Sequence, residues 1–477
     1  MKRREFVKAA GVGSASMLLS STGTDAAPTS GRARRPNVIL IMADDLSARE
    51  IGCYGHASHK TPALDEMART GVMFETCWAT PICSPSRAMI MTGRYGFRTG
   101  WFHNEMKPAP NKPGGHLGKA NTTFAAALRR AGYATAICGK WQLRGTMAEH
   151  GFDEHCMWAA MGYEGFDGPV EGDKSKGQPG ALAGRAARYW HPAIVRNGKP
   201  LPTTDADYGP DLFVDFLLDF AGRHKDGPFL VYYPMCLPHR SWDFEAGRSG
   251  YLPTPALDAN GRKTGRKVAG SLKSNVEYID HLIDRIAAGL SRLGLRDRTV
   301  VMFTCDNGTS GYGKGKVVQE RGPRVPMIVN GPGLVKRRGS TGALIDFADV
   351  LPTLCDLAGA EPPRDAAIDG RSFAALLRGE PFTPREWIFS NYADKRLIRD
   401  KRWLLDGQGR LWDCGHRRDE TDYRDATRSK DPEALAAKRR FKALLKRLPP
   451  PPEHVLENWR KRGGRKKTVK RNKRKKK

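Results

Sequence analysis

The chain has 477 residues, of which 39% are hydrophobic, 27% charged and 9% aromatic. That balance excludes a collagen-like, wholly disordered or multi-spanning membrane protein and leaves room for one large domain plus a smaller one. Lys and Arg number 80 against 51 acids, a formal charge of +29, but residues 1–35 contribute +5 and residues 460–477 contribute +13, so the body carries only +11. No interleaving of aromatic and basic residues accompanies that charge, and nucleic acid is not expected as a primary partner.

In chain order, Lys2-Arg3-Arg4-Glu5-Phe6-Val7-Lys8 precedes an apolar run from Ala9 to Leu19 and small residues through Ala26-Ala27. This resembles a twin-arginine export signal, which implies a leader over 1–27 and a periplasmic or secreted destination. No later stretch reaches 18 uninterrupted apolar residues, so no transmembrane anchor is expected after processing.

Short apolar runs then alternate with helical periodicity, which predicts an α/β domain with a large, mostly parallel central sheet flanked by helices. Strands are predicted at Val38–Met42, Ala134–Cys138, Phe229–Tyr233 and Thr299–Thr304. Helices are predicted from Pro62 to Arg69, capped by Thr61, and over Ser86–Met91, Thr123–Ala131, Leu212–Ala221 and Leu272–Leu293. From Trp387 to Asp413 short strand-like pieces predict a small C-terminal antiparallel subdomain. The expected boundaries are a catalytic domain over 36–380, a subdomain over 381–448, and from Pro449 a proline break and disordered basic tail. That tail is a solvated polyelectrolyte or a polyanion-binding arm.

Nine cysteines occur without a Cys-x-x-Cys pair, which argues against a zinc or redox site. Most adjoin apolar runs and read as small buried hydrophobes. Cys83, in Pro81-Ile82-Cys83-Ser84-Pro85-Ser86-Arg87, is flanked by turn formers instead, and Pro85 suits the first turn of a helix whose positive terminus welcomes an anion.

Polar clusters follow the predicted strands, where open α/β sheets bind ligands. Asp44-Asp45 and Asp306-Asn307 supply three carboxylates and one amide, hard oxygen donors suited to Ca2+ or Mg2+. Taken singly, either pair also reads as a cap or a turn. Arg87, Lys140, His239 and a Lys in Gly313-Lys314-Gly315-Lys316 supply cations that, beside a metal, would clamp a tetrahedral oxyanion.

Cys83-Ser84-Pro85-Ser86-Arg87, continuing to Met91-Thr92-Gly93-Arg94, resembles the signature of the type I, formylglycine-dependent sulfatases of the alkaline-phosphatase-like superfamily. The likeness runs from Pro36 to about Asp413, with Gly139-Lys140-Trp141, Pro238-His239, Leu351-Pro352-Thr353 and Asp369-Gly370-Arg371-Ser372 in order. The resemblance implies that a formylglycine-generating enzyme oxidises Cys83 to an aldehyde whose hydrate attacks sulfur. It further implies that Asp44, Asp45, Cys83, Asp306 and Asn307 hold Ca2+, or Mg2+, and that Arg87, Lys140, His239 and Lys314 grip the sulfate and leaving alcohol. Lys316 is the alternative to Lys314, and Gln142 stands where the family usually has His.

The expected activity is therefore sulfuric ester hydrolysis. The rivals are a phosphonate or phosphate ester hydrolase of the same superfamily and a catalytically silent polyanion-binding protein. Segments at Trp101–Gly118, Glu164–Asp207 and Trp242–Arg266 carry Trp101, His103, Tyr189, Trp190, His191 and Trp242, residue types suited to a sulfated carbohydrate, with His103 a candidate substrate contact.

Overall fold

The computed structural model describes residues 35–104, 117, 123–159, 170–171, 185–243, 248–364, 367–415 and 422–461. The leader expected over 1–27, the chain beyond 461 and parts of the three segments expected to set specificity lie outside the described residues.

Eleven strands build the main sheet. In chain order they are β1 Asn37–Ala43, β2 Val72–Trp78, β3 Ala134–Gly139, β4 Glu154–Trp158, β5 Ile194–Arg196 and β6 Lys199–Leu201, then β7 Phe229–Pro234, β8 Thr299–Cys305, β9 Arg324–Val325, β10 Met327–Asn330 and β11 Gly339–Asp346. At the centre, β8, β1, β7, β3 and β4 lie side by side and parallel. Antiparallel strands extend both flanks. Every residue of β1, β7 and β8 is buried, as expected of strands covered on both faces, whose sequences are apolar runs without alternation.

Two helical layers cover the sheet. One comprises α1 Pro62–Thr70, which packs against the long helix Leu272–Arg292; that helix in turn packs against Gly209–Arg223. The other comprises α2 Cys83–Thr92, with Phe124–Arg130 and Val350–Ala358. Two sequence expectations need correction here. The α2 helix starts at Cys83 and not after Pro85. Thr61 does not cap α1; the Asp280 carboxylate on the long helix accepts from the Ala63 and Leu64 amides at 3.1 and 2.8 Å instead. The N–H groups are satisfied from a distant segment, which no local pattern reveals.

Beyond the main sheet, Ile388–Tyr392, Lys395–Arg399, Trp403–Leu405, Leu411–Asp413 and Arg424–Asp425 form an antiparallel meander. The pleat divides its side chains. Ile398, Trp403, Leu405 and Leu411 face Ala434, Ala437 and Phe441 of the helix Pro432–Lys446, while Leu397, Leu404 and Trp412 face Trp78 and Leu344 of the main sheet. Where a disordered tail is expected from Pro449, residues 453–461 are helical, and Leu456 is buried against Phe102 and Ala393 with Trp459 beside them. Val455, Leu456 and Trp459, at helical spacing, were the available signal.

Candidate active site

Parallel register brings the candidate residues together. Ala43 pairs with Cys305 and Met42 with Pro234, so β1, β8 and β7 end at one level, and Ile137 of β3 pairs with Tyr232 of β7. The next residues are therefore neighbours: Asp44-Asp45, Asp306-Asn307, the loop to His239, and Lys140. Asp45 sits in the left-handed region at φ 71°. Its N–H donates to Asp306 Oδ1 at 3.1 Å and its Oδ1 accepts from Asn307 Nδ2 at 2.8 Å, contacts that offset the backbone strain.

Cys83 opens α2 and is 1% exposed. Asn104 Oδ1 accepts from the Ser84 N–H at 3.0 Å, and the Ser86 hydroxyl accepts from the Thr80 N–H at 3.0 Å, which fixes the approach to the helix. One turn on, buried Arg87 donates to Asp306 Oδ2 at 2.6 Å and to the Lys140 carbonyl at 3.1 Å, with Asp44 Oδ1 at 3.7 Å. Lys140 Nζ lies 2.5 Å from Asp44 Oδ2, Lys314 Nζ 2.7 Å from Asp45 Oδ2, and His239 Nε2 3.7 Å from Asp45 Oδ2.

The cluster fits a divalent cation. Asp44, Asp45, Cys83 and Asp306 each offer a ligand atom within 4.8 Å of the others. Asp44 Oδ1 and Asn307 Oδ1 are buried with no hydrogen-bond partner, a costly state for oxygens unless a cation satisfies them.

The carboxyls feel this site differently. Burial opposes ionisation of Asp44, but Lys140, His239 and Arg87 outweigh it and hold the carboxyl well below its usual range. Burial raises Asp45 despite Lys314, and burial with Asp44 beside it raises Asp306 to about 6. Burial lowers His239 well below the ordinary imidazole value and pushes the Cys83 thiol up to about 11. An unmodified Cys83 is thus a thiol at neutral pH and a poor nucleophile.

Three sequence candidates sit differently. Lys316 is exposed and outside the ion-pair cluster. Gln142 is exposed at φ 61°, and it is its carbonyl that accepts from the Ser84 hydroxyl, at 3.3 Å. His103 Nε2 lies 3.2 Å from the Tyr392 hydroxyl, with Trp459 packed on its ring. Sequence reasoning missed Arg188, whose guanidinium lies 3.1 Å from His239 Nδ1; with the Arg240 carbonyl at 2.6 Å it orients the ring. It stands in a loop before Tyr189-Trp190, without a pattern to mark it.

An α/β sheet whose central strand ends gather buried cations, carboxylates and a helix N-terminus defines a class of ester hydrolases that grip a tetrahedral oxyanion. Residues 36–360 match the family model described as Sulfatase. The chain belongs to the sulfatase family and is a sulfuric ester hydrolase. It is 28% identical over 468 residues to human arylsulfatase D, covering 81% of this chain and 75% of that protein. It is 30% identical over 378 residues to human N-acetylgalactosamine-6-sulfatase, covering 73% and 67%. Among solved structures, it resembles Ps i-CgsB in complex with k-i-k-neocarrahexaose (TM-score 0.66, 24% identity, 86% of this chain and 93% of that one). It also resembles the phosphonate monoester hydrolase of Agrobacterium radiobacter (TM-score 0.58, 21% identity, 87% and 96%). These two likenesses concern the fold.

Proposed function

We propose that the protein removes sulfate from a carbohydrate sulfate ester, using a formylglycine made from Cys83 and one Ca2+, with Mg2+ the alternative. The observation that carries this reading is the position of Cys83: buried in the first turn of α2, within 4.8 Å of ligand atoms from three carboxylates, with two buried oxygens left without partners. Asp44, Asp45, Asp306 and Asn307 would hold the cation, which would stabilise anionic oxygen on residue 83 and on the sulfate. Oxidised and hydrated, position 83 would offer one hydroxyl to take the sulfuryl group and a second to release it.

The chain's own residues do the rest. Arg87 and Lys140 neutralise the sulfate oxygens, and Arg87 is itself held by Asp306 at 2.6 Å. Lys314 and His239, both facing Asp45, stand where the leaving alcohol departs; Lys314 hydrogen-bonds the departing oxygen, and His239 is the acid for it once bound sulfate draws a proton onto the otherwise neutral ring. Gln142 acts through its main-chain carbonyl, which orients Ser84 beside residue 83. His103 lines the approach, and exposed Lys316 meets groups beyond the sulfate. Residues 36–380 form the catalytic domain and 381–448 a supporting subdomain. Export by a twin-arginine route, which carries folded protein, places oxidation by a formylglycine-generating enzyme before export.

Turnover of matched 4-nitrophenyl sulfate and phosphate, with and without Ca2+, tests the reaction. Sulfate preference that depends on Ca2+ is expected. A preference for phosphate or phosphonate esters would favour the second reading, which the shared fold with a phosphonate monoester hydrolase motivates. A desulfation screen across sulfated oligosaccharides then identifies the carbohydrate.

A further inference from the structure

Two short antiparallel ribbons follow His239. Ser241–Asp243 pairs with Arg248–Gly250, and Thr254–Leu257 pairs with Lys263–Val268. Burial explains only one strand of the second, whose Thr254 and Pro255 are buried. Every residue of Lys263–Val268 is exposed, and Val268 is one of the most exposed large apolar side chains of the chain at 43%. A two-stranded ribbon is marginal on its own, and the core holds only its Thr254–Leu257 strand, so the exposed strand needs other fastenings. Residues 259–272 contain four cations and no acid.

Two of those cations fasten the ribbon to the body. Lys263 Nζ lies 3.0 Å from Asp211 Oδ2, and Lys267 Nζ lies 4.3 Å from the centre of the Trp190 ring. The Trp190 indole also donates to the Pro253 carbonyl at 2.9 Å, and the preceding Tyr189 hydroxyl donates to the His239 carbonyl at 2.7 Å. The ribbon is thereby tied to the loop that carries His239. The remaining cations, Arg262 and Arg266, are exposed and have no ion pair among the described residues; Arg248 on the neighbouring ribbon is alike. Arg240, the residue after His239, is exposed and lies over the Tyr251 ring at 5.8 Å.

We propose that the ribbon 254–268 is a docking rail for the rest of a sulfated polysaccharide whose terminal or branch sulfate occupies the catalytic cluster. Rigid attachment beside His239 and unpaired guanidiniums facing water suit a polyanion that continues away from the reacting group. The groove of about 1230 Å3 between the ribbon's tip and the long helix is lined by both signs, Glu66, Asp258, Glu277 and Asp284 with Lys60, Arg296 and Arg338, and offers a polyanion no unbroken cationic track. The polymer would instead meet the exposed Arg240, Arg248, Arg262 and Arg266. This proposal rests on the hydrolase reading above but has a separate readout.

Arg262→Ser/Arg266→Ser in the full chain removes both free cations and keeps both fastenings. The measurements are kcat/KM on 4-nitrophenyl sulfate and on chondroitin sulfate, and the Kd for chondroitin sulfate, across a salt series. At about 0.05 M salt the polymer-to-small-ester ratio of kcat/KM should fall roughly 10-fold and Kd rise by a similar factor, with both effects fading above about 0.5 M as screening shortens. An unchanged ratio and Kd at low salt would overturn the rail. Wild-type protein that binds single-stranded DNA as tightly as chondroitin sulfate, with equal losses in the variant, would overturn the choice of occupant. Polymer affinity that falls in the variant while wild type turns over no sulfate ester would sink the hydrolase reading and leave the rail standing.

Discussion

The loop between Asp306 and Arg324 contributes to two buried charge clusters, and they are built on opposite terms. Glu320 has no exposed surface, and its carboxylate accepts from Trp78 Nε1 at 2.7 Å, Tyr423 Oη at 2.5 Å and Arg399 Nη1 at 2.6 Å, with Arg324 at 3.6 Å. Burial opposes its ionisation, but Arg399 and Arg324 outweigh burial and keep it below the usual range. It joins the main sheet to the meander, and every oxygen is engaged. The candidate-site cluster is as deeply buried yet leaves Asp44 Oδ1 and Asn307 Oδ1 without partners, and it pulls its carboxyls in opposite directions. A network that only holds the fold is complete by itself, whereas one that holds a ligand keeps valence in reserve.

The predictions set these clusters against each other. Cys83→Ala should lower turnover roughly ten-thousand-fold or more, as loss of a covalent nucleophile does, with little change in Tm. Wild-type rates would remove Cys83 from the chemistry. Chelation comes next. It should abolish turnover and lower Tm, because it leaves repelling carboxylates in one pocket. The pH dependence follows from Asp306, raised to about 6 by burial and Asp44. With its folded value above the unfolded one, its stabilising protonated form is complete below the ordinary range near ~4 and is lost as pH rises through about 6. Metal-free protein should therefore lose stability through that window, and the Tm gain on adding Ca2+ should be larger above about pH 6 than below it. A gain that grows on acidification would contradict the assignment.

Glu320→Gln should cost about 3 kcal/mol of stability by leaving buried Arg399 without its charge, seen as a lower denaturant midpoint. The Val317 carbonyl accepts from Gly407 N–H at 2.9 Å and Gln319 N–H donates to Asp406 Oδ2 at 3.1 Å, so the loop bearing Lys314 stays partly clamped. Folded variant should keep most of its turnover. A variant that is as stable as wild type but inactive would reverse the two clusters' roles. Gln142→Ala should cost less than about 10-fold in kcat, because the main-chain carbonyl remains. A larger loss would show that the amide side chain works in the reaction.

The parallel core was legible because β1, β3, β7 and β8 are uninterrupted apolar runs, and the meeting of Asp44, Asp45, Lys140, Asp306 and Asn307 because they follow those runs directly. The outer strands were not. In Val72–Trp78, Glu75 and Thr76 interrupt the apolar run, and Gly339–Asp346 opens on Gly-Ser-Thr-Gly; each is fixed as strand by its pairing with the other, a long-range contact. The choice between Lys314 and Lys316 depended on which side chain turns inward, and Gly315 between them, at φ 71°, makes that turn. Arg188 and the Glu320 hub are single residues whose partners lie far along the chain, as Arg399 and Tyr423 do from Glu320, so local pattern held no trace of them.

The central claim is that position 83 reacts as an aldehyde hydrate and not as a thiol. Peptide mass spectrometry of active protein from its native host, with turnover of 4-nitrophenyl sulfate measured on the same sample, tests it most directly. The account predicts that activity scales with the fraction of Cys83 converted to formylglycine across preparations. Full turnover from protein whose Cys83 is entirely an unmodified thiol would contradict it.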